Sequence, residues 1–437
     1  MRWLRMLAAI LIVLGLCSVT TDGGAQPSFD WKKFSGQTVN VALAKQPWSD
    51  FITPLIPEFE KLTGIKVRLE VLPEDQNRQK LAIAFTAGRG DIDVLGSQRH
   101  QEGVKYYLAK WYEPLKKYVE NRELTSPAFD YADFAAQSID DATVSGELVG
   151  LPLYSELQIL MYRKDLLQQA GLKAPNTLAE LEEVAKKLTD KAKGQYGLCL
   201  RGKGAATTTI FSGVLHSMGG SWADQNRNPA LATPVALKAF EYYGRLAREY
   251  GPPGVVNYHW FQCQSLFATG KAALWTDSNI FAAGLLDPAK SQVADKTGFA
   301  VFPEGPGGRK PAGGGWYLSI SSKAQNKGPA WYFLQWAVSK ENALQAQLRG
   351  IPTARLSAWQ AEEFRRGDKH PDLTKATLDS LRLKDTPSWG PPWVAVGEIR
   401  DVIGAVVITA IQGGDIKTAA DKAVEQIQAI REKTEKF

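Results

Sequence analysis

The stretch from residue 38 to 72 constrains the fold more than any other part of the chain. Val39, Val41 and Leu43 alternate with Thr38, Asn40 and Ala42, a period of two that suits a strand. After the loop Lys45-Gln46-Pro47-Trp48, the residues Ile52, Leu55, Ile56, Phe59 and Leu62 recur at helical spacing, and Gly64 stands where a left-handed residue can cap the helix. Ile65, Val67, Leu69 and Val71 then alternate with Lys66, Arg68 and Glu70 as a second strand. Strand, helix and strand in such close succession predict a right-handed βαβ crossover, which requires parallel strands.

The alternation continues along the chain. Asp91 to Leu95 reads as a third strand ending in Gly96-Ser97-Gln98-Arg99, and Leu108 to Val119 as an aromatic-rich helix and turn. A new strand runs from Val149-Gly150-Leu151-Pro152 through Ile159, Leu160 and Met161. Thr177 and Glu180 form a capping box ahead of a helix whose Leu178, Leu181, Val184, Ala185 and Leu188 share one face. Gly298 to Phe302 and Trp316 to Ser321 read as strands around a glycine-rich loop, Trp331 to Val338 as a helix, and Ile416, Ala420, Val424, Ile427 and Ile430 as a terminal helix. No internal repeat appears. The sum is an α/β protein built on open, largely parallel sheets. At 437 residues it is expected to form two or three domains or one large two-lobed unit.

The N-terminus indicates export. Arg2 and Arg5 precede the apolar stretch Leu7 to Cys17, and small and polar residues follow to Gly23-Gly24-Ala25, the pattern of a cleaved secretory signal. The apolar stretch is too short to cross a ~30 Å hydrocarbon core as a helix. Cys17 follows Leu16, where a lipidation signal carries Gly, Ala or Ser. After cleavage Cys199 and Cys263 remain, and in an oxidising compartment they point to one disulfide, two buried thiols being the other reading. The net charge of +6 is spread over 52 basic and 46 acidic residues with no basic block, which argues against nucleic acid as a partner.

Reactive motifs are missing. The four histidines, at 100, 216, 259 and 370, make no metalloprotease pair, and no cysteines sit at zinc spacing. Gly270-Lys271 fails as a phosphate loop because Ala272 stands where Ser or Thr must meet magnesium. No Gly-x-Ser-x-Gly turn presents a nucleophile. Neither a cofactor nor a metal is expected, and no catalytic residue is assigned. Aromatic residues are abundant instead, with 13 Trp, 14 Tyr and 17 Phe. Trp48, Trp316, Trp389 and Trp393 fall in Gly/Pro-rich loops, where they either pack the core or offer faces to the C–H patches of a sugar or polyol.

The run Gly150-Leu-Pro-Leu-Tyr154-Ser-Glu156-Leu-Gln-Ile-Leu-Met-Tyr162-Arg163-Lys164-Asp165, followed by Ala170-Gly171-Leu and Pro175-x-Thr177, resembles the signature of family 1 extracellular solute-binding proteins, the carbohydrate receptors of ABC importers. Phe267-x-x-Gly270-Lys271-Ala-Ala-Leu-Trp275, Gly314-Gly315-Trp316-Tyr-Leu-Ser-Ile320 and Gly350-Ile351-Pro352-Thr353 resemble further motifs of that family, in order along the chain. Gly197-Leu-Cys199-Leu-Arg201-Gly202, Gly251-Pro252-Pro253-Gly254 and Cys263 resemble the sorbitol/mannitol-binding branch, which carries matching cysteines.

The resemblance implies a two-lobed periplasmic-binding-protein fold of type II, with hinge strands between the lobes and ligand in the cleft. The expected division is a signal peptide over 1–25, a first lobe from 27–146 and 296–349, and a second from 147–295 and 350–437. It further implies reversible capture of a polyol or sugar without turnover, delivery to the importer's membrane permease, a periplasmic location and a monomeric receptor. Because ligands of open α/β sheets sit beyond the carboxyl ends of the strands, Trp48, Gln98, Arg99, Tyr154, Glu156, Arg201, Asp277, Asn279, Trp316 and Trp389 are expected near the cleft. Tryptophans would stack on the ligand, while Gln98, Glu156, Arg201 and Asp277 would bind hydroxyls. Arg99 and Arg201 would equally suit a sugar acid, and a secreted carbohydrate-active enzyme would carry a facing carboxylate pair in its cleft.

Overall fold

In the computed structural model, residues 28–383 and 386–435 are described. The expected signal peptide and Cys17 lie outside them. The strands, in chain order, are β1 (Thr38–Ala44), β2 (Lys66–Leu72), β3 (Val94–Gln98), the small hairpin β4 (Thr143–Val144) and β5 (Glu147–Leu148), β6 (Leu151–Arg163), β7 (Tyr196–Cys199), β8 (Ala272–Ser278), β9 (Thr297–Val301) and β10 (Gly313–Ile320). The main sheet runs β2-β1-β3-β10-β6-β8-β7, with β9 also paired to β6.

The βαβ unit forms as the sequence predicts. β1 and β2 pair in parallel from Thr38 opposite Lys66 to Ala44 opposite Leu72. The helix between them ends at Gly64, whose φ of +72° is a conformation that costs an L side chain about 1 kcal/mol or more. Parallel pairing is confined to the flanks of the sheet, β2-β1-β3 and β8-β7. The two central strands run against their neighbours. β10 is antiparallel to both β3 and β6, and β6 is antiparallel to β8 and β9.

β6 holds the architecture together. Its first half, Leu151 to Leu157, pairs with β10, and its second half, Gln158 to Arg163, pairs with β8 and β9. One continuous strand therefore belongs to two sheet halves, and helices cover each half to make two lobes. The first packs Val39, Val41 and Phe59 against Trp331 and Phe333 of helix Lys327–Ala337. The second packs Leu198 and Leu274 against Phe211, Phe240, Ile403 and Val407, with the rings of Phe211 and Phe240 stacked at 4.4 Å.

β9 and helix Pro371–Leu381 lie together, the Asp372 carboxylate accepting a hydrogen bond from the backbone N–H of Phe299 at 3.0 Å. Arg355 lies with the first lobe, donating to the carbonyls of Phe129 at 2.8 Å and Asp130 at 2.9 Å. The capping box is present, with Thr177 Oγ1 accepting from the Glu180 N–H at 3.1 Å and Glu180 Oε2 from the Thr177 N–H at 3.2 Å. Cys199 and Cys263 are joined in a disulfide. Among the described residues no helix is long and apolar enough to cross a membrane.

Candidate ligand-binding cleft

The carboxyl ends of the first-lobe strands deliver side chains to one place. Gln46 follows β1, Glu74 follows β2, and Gln98 ends β3, with Gln101 in the turn beyond it. From the hinge strands come Glu156 on β6 and Trp316 on β10, and the second lobe adds Arg201, Thr209, Trp260, Phe281 and Trp389. These residues surround a tight cavity of about 20 Å³, room for little more than one water molecule, so the lobes must part to admit a solute.

Two kinds of wall alternate around it. Trp316, Trp389 and the pair Trp260–Phe281, stacked at 4.6 Å with 14° between ring planes, supply aromatic faces. The Arg78 guanidinium lies 5.9 Å from the Trp316 ring centroid and supports that ring by a cation–π contact. Side-chain amides and carboxyls supply the polar wall. The buried indole N–H of Trp389 has no hydrogen-bond partner. Leaving such a donor unpaired is costly.

The charges are already matched within the protein. Arg201 donates from Nε to Asp277 Oδ2 at 2.8 Å and from Nη2 to Asp277 Oδ1 at 2.5 Å. Burial pulls Glu74 upward, but the charges of Arg78, His259 and Arg201 hold its carboxyl down at about 2. Arg78 in turn donates from Nε to Glu102 at 2.9 Å. Burial depresses His259 first, Arg201 adds to it, and the imidazole falls to about 4. Glu156 differs. Burial pushes its carboxyl up to about 8, the charges of Glu74 and Asp277 adding and Arg201 opposing.

That shift carries a testable sign. The folded state keeps a proton on Glu156 that the unfolded chain gives up near 4.5. The stabilising contribution is therefore complete below that value and lost as pH rises through about 8. Glu156→Gln, which keeps the neutral shape, is expected to remove this loss. Urea unfolding at about pH 5, 7 and 9 should find wild type falling behind the variant by roughly 4 kcal/mol across the series, at ~1.4 kcal/mol per pH unit between the two values. Parallel stability curves would refute the assignment.

Of the residues expected near the cleft, Gln98, Glu156, Arg201, Trp316 and Trp389 line the cavity. The other five do not. Trp48 is turned into the core because a helix begins at Pro47, one residue earlier. Arg99 points away and donates to the Asp140 carboxylate at 3.2 Å. Tyr154 lies behind the wall, its hydroxyl donating to Gln46 Oε1. Asp277 stands behind Arg201. Asn279 is held by the Leu157 N–H at 3.1 Å and borders a different cavity, of about 270 Å³, beside Trp359 and His370.

Sequence reasoning missed Gln46, Glu74, Gln101, Thr209, Trp260 and Phe281. The first three were open to discovery, because each lies just past a predicted strand's carboxyl end. Among the described residues, no group of three or more His, Cys, Asp or Glu is placed to hold a metal ion.

Two α/β lobes hinged on shared strands, with an aromatic and polar cavity between them, define a two-lobed binding protein that encloses a small solute. The chain belongs to the bacterial extracellular solute-binding protein family, whose profile matches residues 46–344. It is 30% identical over 397 residues to a mannitol-binding protein of Pseudomonas aeruginosa, covering 84% of this chain and 86% of that one. A solute-binding protein of an ABC transporter from Agrobacterium vitis, solved with bound D-mannitol, superposes with a TM-score of 0.81 at 29% identity, over 91% of this chain and 99% of that one. A second, from Agrobacterium radiobacter in complex with ribitol, gives the same TM-score and coverage at 27% identity.

Proposed function

We propose that this protein captures an acyclic polyol in the cavity between its lobes and delivers it to the membrane permease of an ABC importer. The observation that carries the reading is the state of the arginines. Arg201, the arginine on the cavity wall, is spent on Asp277, and Arg99 is paired with Asp140 away from the cavity. A carboxylated ligand would thus meet no free cation on the wall. The remaining lining of amides, carboxyls and Trp faces suits a neutral molecule with many hydroxyls. The mannitol- and ribitol-bound relatives support the same class of ligand.

The signal-like N-terminus and the family support a periplasmic location, and a monomer suits a receptor that must close and then dock. The lobes we propose are 28–146 with 313–361, and 158–301 with 371–435, joined through β6 and β10. Binding is the role that the family and the mannitol-binding relative carry by name, which supports capture without turnover.

A thermal-shift screen tests the ligand class. D-mannitol, ribitol and erythritol are expected to raise the melting temperature, a ligand at 100 times its Kd adding about 2.7 kcal/mol by mass action. Disaccharides and sugar acids such as gluconate are expected to leave it unchanged. A shift with gluconate alone would overturn the polyol reading, and product formed from a glycoside would overturn binding without turnover.

A further inference from the structure

A chain of three hydrogen bonds leads from a buried arginine in the second lobe to the ligand cavity. Arg400, on helix Val396–Gln412, donates from Nε to Thr208 Oγ1 at 2.7 Å, and from Nη2 to Thr209 Oγ1 at 2.9 Å and the Ala205 carbonyl at 3.0 Å. Those three acceptors belong to the second lobe. Its Nη1 crosses to the first lobe and donates to Gln101 Oε1. Gln101 Nε2 donates to Gln98 Oε1 at 2.5 Å, and Gln98 Nε2 donates to Glu156 Oε2 at 3.2 Å. Gln101, Gln98 and Glu156 all line the cavity, whereas Arg400 does not.

The order of donors and acceptors in this chain is set at Gln101, which lies between the Arg400 guanidinium on its oxygen side and, on its nitrogen side, Gln98 and the Glu74 carboxylate at 3.5 Å. A side-chain amide can turn over and exchange its oxygen for its nitrogen, but a guanidinium only donates. Gln101 must therefore turn its oxygen toward Arg400, which leaves its nitrogen for Gln98. Gln98 must in turn offer its oxygen, which leaves its nitrogen for Glu156. Burial, with Arg78 and Arg201 adding, lowers Arg400 to about 10, so it keeps its proton and its donor character at neutral pH. All four of its acceptors are neutral, so no carboxylate partner competes for its direction.

We propose that Arg400 is a positioning residue for the ligand site: by donating across the lobe interface it fixes the amide orientations of Gln101 and Gln98, and so sets which cavity atoms donate and which accept when the lobes are closed. A hydroxyl ligand reads that pattern, since each hydroxyl must turn its single proton toward an acceptor. The inference rests on the reading of the cavity as a hydroxyl-binding site. It adds a coupling, because the chain is complete only while the second lobe's arginine reaches the first lobe's glutamine.

The test separates orientation from mere contact. In Gln101→Glu the side chain still accepts from Arg400 and the lobes still touch, but no N–H is left for Gln98 or for the Glu74 carboxylate 3.5 Å away. D-mannitol affinity by calorimetry is expected to fall by about tenfold in Q101E and in R400M, the scale of one lost hydrogen bond to a buried group, with the melting temperature of Q101E within a few degrees of wild type. R400K, which also only donates, is expected to recover part of the loss. The double variant R400M/Q98A should bind no worse than Q98A, because both changes break one chain.

Wild-type affinity in Q101E, or additive losses in the double variant, would overturn the proposal. A ligand-free measurement keeps it separate from the ligand class. The side-chain amide NMR signals of Gln98 and Gln101, identified by their loss in Q98A and Q101A, are expected to shift in R400M. If they stay in place the relay is wrong. If they shift while wild type binds no polyol, the relay stands and the polyol reading falls.

Discussion

Replacing Asp277 by alanine is expected to lower folding stability by about 3–5 kcal/mol and to weaken ligand binding at least tenfold. Asp277 is fully buried on β8, where its carboxylate accepts from Arg201 twice, from the Ser278 N–H at 2.8 Å and from Trp275 Nε1 at 3.3 Å. Burial alone would lower the Arg201 pKa, but the charge of Asp277 raises it above its ordinary value. Alanine removes that charge and leaves a guanidinium in a low-dielectric wall with no counter-ion, which costs far more than the pair contributes in place. Asp277→Asn, which keeps the volume and one acceptor, should fall between wild type and alanine. The double variant D277A/R201M should recover much of the loss, because the stranded charge goes too. Urea unfolding measures all three. A loss under 1 kcal/mol in D277A, or a double variant as poor as the two singles added, would mean that the pair is not the anchor described.

How much of this could be read from the sequence depended on what each residue faces. The βαβ unit over 38–72 was legible because polar and apolar residues alternate over the first half of β1 and through β2, with the apolar ones the more buried at Val39, Val41, Val67 and Leu69, and because Gly64 marks the helix end. The capping box at Thr177 and Glu180 was legible because it is a local exchange of two hydrogen bonds. β8 was not, since all seven of its residues are buried and no alternation survives. The third strand begins at Val94 rather than Asp91. Asp93 instead uses its carboxylate to accept from the N–H groups of Asn40, Gln325 and Asn326, a tie between distant segments that no local pattern announces. The antiparallel course of β6 and β10 was hidden for a related reason, because apolar period reports a buried face and not a direction.

The site divides in the same way. The rule that ligands gather past the carboxyl ends of strands found the right loops, but a one-residue turn decides which side chain enters. In the loop after β1 the helix starts at Pro47, so Gln46 faces the cavity and Trp48 the core. In the segment after β3, Gln98 and Gln101 face inward while Arg99 between them turns to Asp140. Arg400 was beyond reach, because an arginine in an amphipathic helix ordinarily marks its wet face. Only the approach of residues 205–209 and of Gln101 makes its position a buried one.

Removing the disulfide is expected to produce the other large loss. Cys199 ends β7 two residues before Arg201, and Cys263 lies one turn into the helix that carries Trp260. The bond closes a loop of 64 residues, and in the chain-entropy account a loop of that length restricts the unfolded state by about 4 kcal/mol. Both sulfurs are buried among Trp275, Phe267 and neighbouring apolar groups, so alanine at both positions leaves only a small void and no polar orphan. The variant C199A/C263A should therefore lose about 4 kcal/mol in urea unfolding. Wild type unfolded in a thiol reductant should approach the variant, while the variant itself should not respond to the reductant. Because the bond ties the strand that leads to Arg201 to the helix that carries Trp260, the loss should extend to function. D-mannitol affinity should fall by severalfold even at temperatures where the variant stays folded. Unchanged affinity with a full stability loss would leave the bond as a brace of the second lobe alone. A stability loss under 1 kcal/mol would contradict the loop argument itself.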